Sequence, residues 1–276
     1  MKIDAHQHFW LYNEQEYGWI NDDMENIRRD FTPEHLQPIL INHGYDGTII
    51  VQARQTIEET NWILELAEKN EFVKGIVGWV DLCAPNVEEQ LEDYAANPLL
   101  KGVRHVLQDE EDSFMLSERF LHGISRLEKY NLTYDILISY KQLPAAIKLV
   151  EKLPNQKFVL DHIAKPDIKN SNFHEWKENI ERLSMNKNVY CKLSGMVTEA
   201  DWLHCEQKDF EPFLEIVINA FGVDRVMIGS DWPVCTVSKK YSEVMNIVEN
   251  YIDSFSKEAQ KKILGVNCME FYQIKD

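Results

Sequence analysis

At 276 residues, with 44% hydrophobic side chains, the chain is long enough for one large α/β domain or two small ones around a packed core. Its 29 basic against 46 acidic residues leave a formal charge of -17, which repels phosphate backbones and anionic lipid surfaces and sets nucleic acid and membranes aside as partners. Five cysteines without a Cys-x-x-Cys pair indicate neither a disulfide framework nor a zinc knuckle, and with no apolar leader or membrane-spanning run the expected setting is the reducing cytoplasm.

From the amino terminus, Lys2 to His8 reads as the first strand. Residues two apart on a strand share a face, so an extended run puts Asp4, His6 and His8 on one side with the two imidazoles adjacent. Two neutral imidazoles so placed can hold one divalent ion or offer paired N–H donors to a carbonyl oxygen; taken alone, a His-x-His is more often an incidental pair on a half-exposed strand. The next stretch carries Trp10, Tyr12, Tyr17 and Trp19, then Asn21-Asp22-Asp23. It is too aromatic for a disordered linker and too irregular for a strand, and is expected as a lid beside the carboxyl end of the first strand. Thr32 as cap and Pro33 at the first helical position start a helix that Gly44 stops.

Seven further β-rich apolar runs follow at 47–52, 73–81, 100–105, 132–139, 157–162, 188–195 and 225–231. Helical stretches separate them at 58–70, 87–96, 120–130, 143–153, 173–184 and 210–221, and two more close the chain at 241–252 and 257–264. Eight strands, each followed by a helix and with no linker-like change of composition, form the pattern of a single (β/α)8 TIM barrel over 1–276. The rival open doubly wound sheet lacks its signature, since neither Gly-x-Gly-x-x-Gly nor a glycine-rich phosphate loop follows any strand.

Such a barrel does its chemistry where the strands end on their carboxyl side. His6 and His8 close the first strand, Arg104 and His105 the fourth, Asp161 and His162 the sixth, and Asp231 the eighth. Each has a plainer alternative: Asp231 as a helix cap, His162 as a satisfied core histidine, Arg104 in a structural ion pair, Lys165 as a solvated loop charge, the tryptophans as packing. Ionisable residues at the mouth of a packed barrel are nonetheless costly unless paired or used.

The segments Asp4-Ala5-His6-Gln7-His8-Phe9-Trp10, Gly102-Val103-Arg104-His105, Leu160-Asp161-His162-Ile163-Ala164-Lys165-Pro166 and Gly229-Ser230-Asp231-Trp232-Pro233, in that order, resemble the amidohydrolase superfamily. Within it they are similar to the sugar lactonase branch of L-fuconolactonase, L-rhamnonolactonase and pyrone-dicarboxylate lactonase. The resemblance implies a hydrolase that opens the ring of a small lactone, a sugar-acid lactone in the first instance, by attack of water.

It also implies roles. Asp231 would be the general base, with His162 and Arg104 beside it in catalysis; Trp10, Trp19, Arg104, His105, Lys165 and Trp232 would contact the substrate. Metal-dependent members draw ligands from the His-x-His of strand one, a bridging Lys or Glu on strand four, a His on each of strands five and six, and an Asp on strand eight. Here Thr133-Tyr134-Asp135-Ile136-Leu137 offers no histidine, and Arg104 stays protonated and binds no metal, so a two-metal centre is not expected. Two readings stay open: one partly occupied zinc on His6, His8 and Asp231 with His162 beside it or as a fourth ligand, and catalysis without metal. Two other functions stay open as well, a decarboxylase of an aromatic or muconate-type acid and a barrel that binds a sugar acid without turning it over. The partner expected is a small-molecule lactone, and a homo-oligomer is permitted.

Overall fold

The computed structural model describes residues 1–275. Its eight strands are β1 (Ile3–Gln7), β2 (Gly47–Val51), β3 (Val73–Gly78), β4 (Leu100–Val106), β5 (Thr133–Leu137), β6 (Phe158–Leu160), β7 (Val189–Leu193) and β8 (Val226–Ile228). All are parallel and lie in the order of the chain, each paired with the next. Between β8 and β1 the sheet is joined by single bonds instead of a ladder: the His8 amide donates to the Trp232 carbonyl at 2.7 Å and the Asp231 amide to the His6 carbonyl at 2.8 Å. The result is a nearly closed (β/α)8 barrel. Among the described residues no helix is long and apolar enough to cross a membrane.

The helices lie where the 3.6-residue periodicity puts them, and their starts follow local capping. Ser117 Oγ accepts from the Phe120 amide, so that helix begins at Glu118 and not at Phe120. Glu206 and Asp209 cap each other, the Glu206 amide donating to Asp209 Oδ2 at 2.8 Å, so the next begins at Gln207 and not at Phe210.

Alternation sorts the strand residues into two cores. Ile50, Ile76, Val103, Ile136, Leu160, Leu193 and Ile228 meet the helices in the larger one. Ile3, Ala5, Ile49, Val51, Val77, Val159 and Met227 form the smaller one with Cys268, Phe271 and Tyr272, so the C-terminal helix Asn267–Phe271 and the residue after it plug the barrel from below. One expectation is corrected here. Asp4, His6 and His8 do not share a face, because β1 carries an extra residue between Asp4 and Gln7 relative to β2. Asp4 turns away, accepting from the Ser230 amide at 2.9 Å and hydroxyl at 2.6 Å, while His6 and His8 turn inward together.

The segment between β1 and the helix Pro33–Asn42 packs on itself, with Trp10, Tyr17, Ile20, Ile27 and Phe31 buried. It presents Glu16 and Trp19 to a cavity at the carboxyl end of the strands.

Candidate active site

The cavity has a volume of about 470 Å³ and is lined by residues from several strand ends, among them His8, Arg104, His162, Lys165 and Asp231. His6 lies one layer deeper, fully buried. The structure thus brings together all four residues expected around a metal. His6 Nε2 is 3.2 Å from His8 Nε2 and 3.9 Å from Asp231 Oδ1; Asp231 Oδ1 is 3.3 Å from His8 Nε2 and 3.9 Å from His162 Nε2.

The outer nitrogens show which atoms are free. His8 Nδ1 lies 2.7 Å from the Val51 carbonyl, which only accepts, so Nδ1 carries a proton and the neutral ring has a bare lone pair on Nε2. That lone pair faces a carboxylate oxygen across 3.3 Å with no hydrogen of its own to share. Four ligands arranged tetrahedrally at zinc bond lengths stand about 3.3 Å apart, so acceptors converging in this way fit a small cation. His6, His8 and Asp231 form one buried set in which three ligand atoms lie within 4.8 Å of one another; His6, Asp161 and His162 form a second.

Electrostatics keep these groups in the required states. Burial pushes His6 well below the ordinary histidine value and His162 down to about 4, so both rings are neutral at neutral pH. Burial works to raise Asp231, but the neighbouring His162, His8 and His6 rings, which attract the carboxylate whenever they carry a proton, outweigh it and hold the carboxyl below its usual range, leaving it ionised.

His162 owes its position to an unusual backbone. β6 ends at Leu160, and His162, Ile163, Ala164 and Lys165 all adopt left-handed conformations, with φ of 54°, 49°, 62° and 49°. Each such residue costs about 1–2 kcal/mol, and a β-branched residue such as Ile163 is especially rare there. The turn is held by the Lys165 amide on the His162 carbonyl at 2.8 Å and by Trp176 Nε1 on the Ile163 carbonyl at 2.7 Å. Its geometry sends Ile163 and Ala164 into the core and aims His162 and Lys165 at the cavity. Ser194 Oγ meets His162 Nδ1 at 2.9 Å, and Gly195 keeps room for the ring, since a Cβ there would lie 2.4 Å from Nδ1.

Arg104 is clamped. Its Nη1 donates to Asp161 Oδ2 at 3.0 Å and lies 3.3 Å from His6 Nε2, its Nη2 donates to the Gln52 carbonyl, and Gln52 Nε2 returns a bond to the Arg104 carbonyl at 3.2 Å. A guanidinium fixed this firmly beside the cavity can meet a developing oxyanion without reorganising. Arg104→Met is expected to lower kcat/KM by about two decades, with a smaller loss of Tm because Asp161 keeps Lys192 at 3.1 Å. Steady-state kinetics beside thermal unfolding checks this; a lowered Tm with normal kcat/KM would leave Arg104 only the ion pair.

Three expected substrate contacts are corrected. Next along β4 from Arg104, His105 points to the opposite side, stacked on Phe114 at 5.0 Å and 3.2 Å from Glu110, because neighbours on a strand alternate. Trp10 is fully buried with its Nε1 on the Arg29 carbonyl, and Trp232 packs edge-on against Phe9 and Phe31. Trp19, 43% exposed, does line the cavity, as does Lys165.

Sequence reasoning missed Lys192, on the inward face of β7. Its Nζ is buried 2.5 Å from Asp135 Oδ2, 3.1 Å from Asp161 Oδ1 and 3.2 Å from His6 Nδ1, and Tyr272 Oη donates to Asp135 Oδ2 at 2.8 Å. A signal existed: in a parallel sheet covered on both faces, a charged residue in mid-strand needs a buried partner, and Asp135 in mid-β5 is the complementary case. Arg54 also lines the cavity. Its Nη1 is 2.5 Å from Glu16 Oε2, and Glu59, from the helix Ile57–Lys69, accepts from the Ala53 amide at 3.1 Å and from the Arg54 amide.

The sequence profile of the amidohydrolase family matches residues 3–274. A protein named L-fucono-1,5-lactonase from Burkholderia multivorans is 36% identical over 96% of this chain and 93% of its own length. One of the same name from Burkholderia ambifaria is 33% identical over 99% and 96%. A crystal structure of an amidohydrolase from Burkholderia multivorans with bound zinc superposes with a TM-score of 0.97 at 34% identity, covering 100% of both chains.

Proposed function

The chain belongs to the amidohydrolase family, as a hydrolase acting on a cyclic ester, and from that premise we propose that it opens a sugar-acid 1,5-lactone with Asp231 as general base. The observation that carries this reading is the convergence of one ionised carboxylate and three imidazole rings at the mouth of the barrel, beside a clamped guanidinium. A lactone is also the substrate named for the two Burkholderia relatives, both above 30% identity over nearly the whole chain.

In this reading Asp231 takes a proton from water as the water attacks the lactone carbonyl. Arg104, held by Asp161 and Gln52, faces the charge that develops on the carbonyl oxygen. The ring oxygen leaves and takes a proton from protonated Asp231, which restores the carboxylate. An ester leaving group needs less acid assistance than an amine, so one carboxylate suffices.

The donor set fits one divalent ion: His6, His8 and Asp231 would hold it, with His162 beside them, and zinc matches the two nitrogens and one oxygen. What a bound zinc would supply there is polarisation of the carbonyl and a more acidic water. Strand five contributes Asp135 to Lys192 and no ligand, so partial occupancy and easy stripping are part of the proposal.

The cavity walls suit a neutral polyol better than an anion, since Arg54, Arg104 and Lys165 are matched there by Glu16, Asp109 and Asp231. Trp19 offers an indole face to a sugar ring. A panel containing L-fucono-1,5-lactone, other aldonolactones and aromatic carboxylic acids tests the proposal, with acid and carbon dioxide measured separately before and after chelation. Acid release from a lactone, lost on stripping and restored by zinc, is the expected outcome. Full activity without metal would mean that His6 and His8 carry protons on Nε2 and serve as oxyanion donors instead of ligands, and carbon dioxide release would replace the lactonase with a decarboxylase.

A further inference from the structure

Below His6 lies a buried cluster, Asp135, Asp161, Lys192 and Tyr272, of which the reaction engages only Asp161, as the partner of Arg104. It holds two carboxylates and one ammonium, and Arg104 Nη1, 3.0 Å from Asp161 Oδ2, completes the charge balance. Asp161 Oδ1 faces His6 Nδ1 at 3.3 Å.

We propose that Asp161 is a positioning residue: its Oδ1 accepts the proton on His6 Nδ1, fixing the ring in the tautomer whose bare Nε2 faces His8, Asp231 and the cavity, with Lys192 holding Asp161 in place. This rests on the reading that His6 holds a cation.

Two neighbours on opposite sides of the ring select the same tautomer. On the Nε2 side, Arg104 Nη1 lies 3.3 Å away and is a donor only, so it favours a lone pair there. On the Nδ1 side, an ionised carboxylate favours a proton there, and a charge-assisted bond is stronger than a neutral one. Lys192 Nζ, 3.2 Å from Nδ1, is the one contact that favours the other tautomer. Its shorter hydrogen bond is to Asp135 Oδ2 at 2.5 Å and the ring of Tyr272 lies 5.6 Å from its charge, while Asp161 Oδ1, 3.1 Å away, is a buried charged acceptor with no hydrogen bond unless it takes the proton of His6 Nδ1. A carboxylate on the outer nitrogen of a metal-bound imidazole fixes its orientation and makes it a better donor, and losing such a partner typically weakens metal binding about 10–100-fold.

Two measurements on the full chain test this. The first is zinc affinity, by competition with a chromophoric chelator, in wild-type protein and Asp161→Asn; an asparagine can turn its NH2 toward Nδ1 and favour the wrong tautomer. A loss of about 10–100-fold is expected. Affinity within twofold of wild type in folded Asp161→Asn would overturn the proposal. The second needs no variant at that position. In zinc-loaded wild-type protein with 15N-labelled histidine, the His6 ring, assigned by its loss in His6→Gln, should show a protonated Nδ1 and a metal-bound Nε2. A protonated Nε2, or zinc on Nδ1, would overturn the positioning role while leaving the metal site intact. Wild-type protein that takes up no zinc would overturn both this inference and the reading beneath it.

Discussion

Asp231→Asn is expected to lower turnover on a lactone by about two to four decades while the fold survives. The amide keeps the shape of the side chain but cannot take a proton from water, and it contributes a weaker ligand beside His8. The fold should tolerate it because the backbone here is held independently of the carboxylate: the Asp231 amide donates to the His6 carbonyl, its carbonyl accepts from the Cys235 amide, and asparagine shares aspartate's tolerance of the left-handed conformation found at φ 58°. Circular dichroism and steady-state kinetics on the same preparation check both halves. A variant that keeps more than a tenth of wild-type activity would mean that the base is another group.

Lys192→Met should be the most destabilising single change in the barrel interior, at about 3–5 kcal/mol. Methionine fills most of the volume, so packing is not the cause. The loss is electrostatic: the carboxylates of Asp135 and Asp161 would face one another, buried, without the ammonium that now touches both. Asp161 would keep Arg104, but Asp135 would keep only the Tyr272 hydroxyl. Denaturant unfolding measures the effect. A change below about 1 kcal/mol would mean that the cluster is neutral as a unit and that lysine is not needed to hold it together.

The β/α alternation was legible because every strand is buried on both faces and every helix on one, and burial leaves a periodic trace. All eight strand runs and the helices after them are found where that trace puts them, with helix starts moved earlier by local capping and strand ends trimmed by the turns after β6 and β8. His6, His8 and Asp231 were legible for a topological reason, since they end strands that begin and close the barrel. Three features left weaker traces. The extra residue in β1 reverses Asp4 without altering the sequence pattern around it. The left-handed run from His162 to Lys165 has no glycine, the residue that normally announces such a backbone, so 157–162 reads as strand to its end. Lys192 and Asp135 each look like an isolated charge in an apolar run, and only the closed barrel sets them side by side. The lining of the cavity was the least legible part, because which tryptophan is wall and which is core depends on how residues 9–32 pack, and Trp19 alone of the three proposed faces the cavity.

The most direct test of the account is continuous measurement of acid release from a sugar-acid 1,5-lactone, with wild-type protein and Asp231→Asn at equal concentration. A rate proportional to wild-type protein and far above spontaneous opening is expected, with the variant close to the spontaneous rate. Wild-type protein that leaves every lactone of the panel at its spontaneous rate would contradict it.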